Sequence, residues 1–404
     1  LTDLKLRASY GLTGNFRIPN YGALGEFSYY SYVLGGSSPA VVKGMGPSAI
    51  PNPNLQWEKT AQLNVGFDAS LWKGLLNLGL DLYNSNTYDL LLNVPIPRTT
   101  GFATRLENIG KVNNKGIEFN ISSNINWGKW GFEPYFNSKN INTVKALGPG
   151  NADIISTGSV PNAYFITRVG ESIGSYYLPV VEGVFKNQAE VDASLHYVDT
   201  PNNYDLSTTR PGDFKFKDVN GDGRLDVLDT DRAIVGNYLP KFTYAFGTGI
   251  TYENFDFKVD FQGVYGNQIL NLSRRYFYNH EGNMNNYRGA LNRWKSESDT
   301  GSGMNVRANR VSKGQNAVTS TWHVEDGSYL RIKNITLGYN LPKDISKYFS
   351  NVRLYCSIQN LYTFTNYEGY NPEVSNRTDA TTSGEDYGVY PLARTFTLGL
   401  NLKF

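Results

Sequence analysis

The feature that most restricts this chain is a two-residue alternation of apolar and polar side chains that recurs from one end to the other. Between Thr60 and Leu71 every odd position is apolar and every even position is polar or Gly. Leu76, Leu78, Leu80 and Leu82 alternate with Asn77, Gly79, Asp81 and Tyr83. The same rhythm returns at Ile117–Ile125, Phe255–Phe261, Val352–Ile358 and Phe396–Phe404. In an extended strand successive side chains point to opposite faces, so this pattern specifies strands with one apolar and one polar face.

About ten such strands are legible, near 3–14, 56–71, 74–93, 105–127, 129–145, 241–252, 254–271, 320–341, 350–364 and 392–404. Many exceed the roughly five or six residues of an ordinary soluble strand and reach the ~9–11 that a tilted membrane strand requires. The connections alternate too. Long ones span 15–55, 94–104, 146–240, 272–319 and 365–391, and short ones fall at Trp72-Lys73, near Gly128, at Glu253-Asn254 and at 342–349. Outer-membrane barrels have short periplasmic turns and long outer loops. The expected fold is therefore all-β, a transmembrane antiparallel β-barrel wall with long extracellular loops. Trp57, Trp72, Trp127, Trp130, Tyr83, Tyr339 and Tyr362 gather near expected strand ends, where aromatic girdles lie.

Composition narrows the functional classes. Net charge is +2 over 404 residues, which gives no electrostatic footprint for nucleic acid. A single cysteine, Cys356, excludes an internal disulfide and lies in an alternating run, as expected of a small packed or lipid-facing side chain. His196, His280 and His323 have no second histidine at ligand spacing, and phosphate-loop and hydrolase motifs are absent. These are read as loop or interface residues, and no enzyme is expected.

One motif carries chemistry. Asp218 to Asp229 follows the D-x-N-x-D-G calcium-loop pattern with an acid at its twelfth position. Asp218, Asn220 and Asp222 would converge on a hard cation, with Gly223 giving the sharp turn. The Arg224 carbonyl, Asp226 and Asp229 would complete the oxygen set. The expected cofactor is a structural Ca2+ within the 146–240 loop insertion. The competing reading is an Asx-rich turn whose side chains satisfy backbone amides.

Several segments resemble the SusC/RagA-type TonB-dependent outer-membrane transporters. They are Leu6–Asn15, Asn114–Phe119, Asp326–Tyr339, Gln359–Tyr367 and the terminal run Tyr390–Phe404, in family order along the chain. The resemblance implies that residues 1–404 are the C-terminal portion of such a barrel, about ten strands of a plugged wall of about 22. It implies that Phe396, Gly399, Leu400, Leu402 and Phe404 form the signal read at membrane insertion. It also implies residence in the outer membrane of a Gram-negative, Bacteroidota-like cell and import of large nutrients, glycans or peptides. A SusD-like surface lipoprotein would sit over the outer loops. The TonB complex would be reached through a segment absent here, and the remaining barrel and plug would come from a preceding segment or a second chain. Tyr21, Tyr29, Tyr30, Tyr32, Tyr276, Tyr278 and Tyr287 in the long connections suit sugar or peptide contacts and equally a protein interface. The alternative is a secreted all-β carbohydrate-binding or carbohydrate-active module with a calcium loop. It would place Leu63, Val65 and Phe67 between two stacked sheets.

Overall fold

A computed structural model of the chain describes residues 1–403 apart from 17, 19, 37–38, 140, 148–151, 195–208, 279, 281–284, 309–314, 343–348 and 375–378. Phe404, His196 and most of the turn expected at 342–349 lie outside the described residues.

Ten strands follow one another in a single antiparallel path: β1 (Asp3–Asn15), β2 (Glu58–Leu71), β3 (Leu76–Pro95), β4 (Thr104–Ser123), β5 (Tyr135–Lys139), β6 (Phe242–Tyr252), β7 (Phe255–Tyr265), β8 (Tyr329–Asn340), β9 (Asn351–Thr365) and β10 (Thr395–Lys403). Each pairs with its neighbours in chain order. Short turns join β2–β3 and β6–β7, where Trp72, Lys73, Gly74 and Glu253 take positive φ to reverse the chain tightly. Among the described residues no pairing closes β1 onto β10, so the sheet has two free edges.

Register turns the alternation of each strand into a continuous surface. Leu4, Ala69, Leu78, Ile121, Phe136, Phe246, Phe261, Ile332 and Tyr362 stand in one unbroken row across nine strands. A second row runs Ile250, Phe257, Leu337, Cys356 and Leu398. Slipping any strand by one residue would break these rows, which is how a one-sided apolar face fixes pairing. Among the described residues no second sheet covers the face: Leu63 and Val65 are each 47% exposed, Leu6 is 77% exposed and Leu398 is 88% exposed. The stacked-sheet arrangement expected of a soluble module is therefore not what these residues form.

Three strand expectations are corrected. The run 129–145 is not one strand but three pieces, Trp130–Phe132, Tyr135–Lys139 and Ile141–Leu147; the first pairs with β6, the last with β4 and the middle one with both. Pro134 lacks the N–H that a continuous ladder would need. The run 254–271 leaves the wall after Tyr265, where Gly266 has φ 78°, and Gln268–Asn271 joins a separate small sheet with Val324–Asp326 and Glu385–Asp386. The run 320–341 begins its wall strand only at Tyr329.

The long connections at one end of the wall fold together into a cap. Ile154–Thr157, Tyr164–Thr167, Ser175–Leu178 and Ala233–Gly236 form one sheet, and Val181–Val184 pairs with Phe214–Phe216. One core gathers Val181, Phe214, Phe216, Leu225, Val227, Tyr278, Val306 and Trp322, and a second gathers Ala163, Phe165, Tyr176, Leu178, Leu270 and Leu272. Polarity is thus inverted between the two parts of the molecule. The cap hides its apolar side chains inside, and the wall displays them outside.

Candidate functional site

The wall's second face is polar and closely paired. Arg7 on β1 donates to Asp68 on β2 at 2.9 Å and to Asp81 on β3 at 2.9 Å. Arg7 and Asp81 are two strands apart and meet over Gly66, where an added Cβ would lie 2.3 Å from an Asp81 carboxylate oxygen. The device repeats on the far side of the sheet. Arg353 on β9 reaches Asp256 on β7 across Gly338 of β8, with Nε donating at 2.9 Å. Glycine is required at both positions because any side chain would occupy the path of the pair. Tyr135 donates to Asp260 at 2.8 Å on the same face. Arg7, Gln62, Asn64, Asp81, Asn114 and Glu118 line an open polar groove. Tyr83 also lines it, with its ring over Gly116, so it does not belong to an aromatic girdle. The girdle at the turn end is instead built from exposed Trp72, Trp127 and Trp130, with Tyr252 packed 4.4 Å from Trp130 and Tyr339 packed 4.6 Å from Phe255.

Of the residues expected to signal insertion, Phe396, Leu400 and Leu402 lie exposed on β10, the second free edge. Gly399 lies beneath the Tyr355 ring. Cys356 stands in the apolar row and is exposed.

Buried polar groups join the cap's separate connections. Arg331 on β8 is fully buried and donates to Thr363 at 2.9 Å, to Asn371 at 3.1 Å and to Glu373. Glu385 is fully buried and accepts from the Ser159 amide at 2.9 Å and its hydroxyl at 2.6 Å, bonding segments 226 residues apart. Asp213 accepts from Arg307 at 2.7 Å and Asn316 at 2.9 Å. Arg331 with Glu373 and Arg307 with Asp213 match opposite charges, whereas Glu385 is held by hydrogen bonds from Ser159; removing one partner of such a buried pair strands the other. Burial raises the pKa of Glu325, against which Arg274 acts in the opposite direction. His323 is not an interface residue; it is fully buried beside Trp322, and burial together with Arg274 and Arg275 pushes its pKa down to about 3. Of the tyrosines singled out from sequence, Tyr278 and Tyr287 pack inward against Trp322 and Phe277. Tyr29, Tyr30 and Tyr32 stay exposed.

The Asp218–Asp229 loop is folded by its own side chains. Asp218 accepts from the Gly221 amide at 2.7 Å and the Gly223 amide at 3.0 Å, and Asp222 accepts from the Arg224 amide at 2.8 Å. Asn220 accepts from the Asp222 amide at 2.9 Å, and Asp226 from that of Leu228 at 3.2 Å. Gly221 and Gly223 have φ of 75° and 79°. Asp229 is exposed, whereas Asp231 is buried and accepts from the amides of Val219 at 2.8 Å and Asp226 at 2.6 Å. Sequence reasoning missed Asp231, which lies two residues beyond the motif. Among the described residues no three His, Cys, Asp or Glu side chains are grouped to hold a metal ion. The donor set is nevertheless entirely oxygen, and each ionised carboxylate retains lone pairs beyond its amide bonds.

Residues 1–361 match the family model described as TonB dependent receptor-like, beta-barrel. The chain is 37% identical over its whole length to TonB-dependent receptor P3 of Formosa agariphila, covering 40% of that protein. It is 29% identical to TonB-dependent receptor SusC of Bacteroides thetaiotaomicron, covering 38% of it. The fold matches a chain in the structure of the RagAB peptide transporter with a TM-score of 0.76 at 24% identity, over all of this chain and 41% of that one. The chain therefore spans about two fifths of the length of these relatives. With its open, one-sided wall and this match over most of its length, the chain belongs to the TonB-dependent receptor β-barrel family.

Proposed function

We propose that this chain supplies about ten wall strands and the outer cap of a TonB-dependent importer in a Gram-negative outer membrane. The importer takes up large nutrients, glycans or peptides, with a SusD-like surface lipoprotein over the cap. The remaining wall, the plug and the TonB-contacting segment lie outside this chain. The observation that carries the reading is the nine-strand apolar row backed by the charge-paired polar face. Lipid solvates the first, and an aqueous lumen solvates the second. The test uses the full-length receptor in its native membrane. Fractionation is expected to place it in the outer membrane, extractable only with detergent. Uptake of labelled oligosaccharides or oligopeptides is expected to stop when the proton-motive force is collapsed, and the lipoprotein is expected to co-purify. Recovery without detergent, or uptake indifferent to energy, overturns the reading.

We further propose that Asp218, Asn220, Asp222, Asp226, Asp229 and the Arg224 carbonyl hold a Ca2+ that fastens the cap. The support is an all-oxygen donor set on a loop already turned by two positive-φ glycines. Titration calorimetry of the detergent-solubilised receptor with CaCl2 should show saturable binding that Asp218→Asn with Asp222→Asn abolishes. No binding heat from the unmodified protein removes the ion.

A further inference from the structure

The charged side chains buried among the described residues are hydrogen-bonded, with one exception. Arg331, Asp213, Asp231, Glu385 and Asp386 each have protein partners. Arg232 is 7% exposed, and among the described residues its guanidinium makes no hydrogen bond and no ion pair. Its Nε is sealed from solvent without an acceptor. A charge taken out of water is costly unless it is paired, so a guanidinium at this depth calls for an anion. The adjacent carboxylate is not that anion. Both oxygens of Asp231 accept backbone amides, one from Val219 at 2.8 Å and the other from Asp226 at 2.6 Å. Those bonds instead fix the backbone from which Arg232 projects.

The surroundings of the guanidinium are aromatic. Its central carbon lies 3.8 Å from the centroid of the Tyr164 ring and 5.8 Å from that of Tyr177. Both tyrosines belong to the four-stranded cap sheet, whose Phe165, Tyr176 and Leu178 fill the second core. Side chains alternate along a strand, so Tyr164 and Tyr177 stand on the sheet's other face, where both are half-buried. A guanidinium is attracted to a ring through its flat face, whereas its five donors lie in its plane. Stacking therefore leaves the donor edge available. That edge matches two oxygens of a carboxylate, sulfate or phosphate at once.

We infer that Arg232, held against Tyr164 and Tyr177, binds the oxyanion group of a soluble ligand, a carboxylate or a sulfate. The charge sets the sign of the ligand, and the planar fork favours an oxyanion over a halide. The small exposure that remains admits an end group of the ligand. The inference stands apart from both the importer reading and the calcium loop.

The test uses the full-length receptor in detergent, with ionic strength held constant by NaCl. Sodium sulfate and sodium glucuronate, each exchanged for chloride, are expected to raise its unfolding temperature saturably, as a ligand bound only by the folded state does. Arg232→Met removes the charge at similar length and is expected to abolish that rise. Arg232→Lys keeps the charge without the fork and is expected to diminish it. Glucose, the uncharged counterpart of glucuronate, is expected to give no rise. A free ion is the ligand if sulfate binds more tightly, and a sugar acid is the ligand if glucuronate does. Sulfate also stabilises proteins by exclusion from their surface, an effect that Arg232→Met retains. Equal rises in the unmodified protein and Arg232→Met therefore overturn the site, as does the absence of a saturable rise. Should Arg232→Met fail to fold, calorimetric titration of the unmodified protein and Arg232→Lys decides, and equal affinities overturn the site.

Discussion

His323 illustrates how much a single residue depends on segments distant in sequence. Its ring Nδ1 accepts from the Ser320 amide at 3.2 Å, its Nε2 has no partner, and its pKa is pushed down to about 3. In an unfolded chain the ring titrates near ~6.5. Below that pH the unfolded state binds a proton that the folded cap excludes. The contribution of neutral His323 is therefore full above ~6.5 and is lost as pH falls toward 3, by up to about 1.4 kcal/mol per pH unit. The urea midpoint of the cap, followed by tryptophan fluorescence, should drop between pH 7.5 and pH 5. His323→Gln should shrink that drop, and equal drops in both proteins would refute the role. The sequence does not disclose this residue. Nor does it disclose Asp231, or the inward turn of Tyr278, because each is decided by what other connections place against it.

At the scale of elements the sequence is far more informative. Alternation alone locates β2, β3, β4, β9 and β10 to within a few residues, because both faces of each meet unlike solvents over their full length. It fails where the solvent changes but the rhythm does not. Ile269 continues the count from Phe261, yet after Gly266 the chain has left the wall and Ile269 is buried in the cap. It fails again along 129–145, where three short pieces replace one strand. The register makes a quantitative expectation possible at Leu80, which lies between Phe67 and Phe119 in a row facing outward. Leu80→Lys should cost about 2–4 kcal/mol if the site is at the bilayer midplane, and less toward either rim. The readout is the fraction of receptor that resists unfolding in detergent before heating. A substitution at Asn77, on the opposite face of the same strand, should leave that fraction unchanged.

For the whole molecule, class and orientation of faces were legible, and the cap was not. Residues 146–240 read as a loop because their strands are only three to four residues long, too short to show a period. Their two cores are each assembled from two connections, β5–β6 and β7–β8, and have no local signature. That construction sets an order of events during folding. Glu385 cannot reach Ser159, nor Leu270 its neighbour Phe165, until the strands between them have paired and brought the connections to one rim. Closing separations of this size before the intervening strands exist costs conformational entropy that no local contact returns. The cap consequently condenses last. In the outer-membrane importer proposed above, its Phe, Leu and Trp side chains would until then cross the periplasm uncovered, where they are what a holding chaperone would grip.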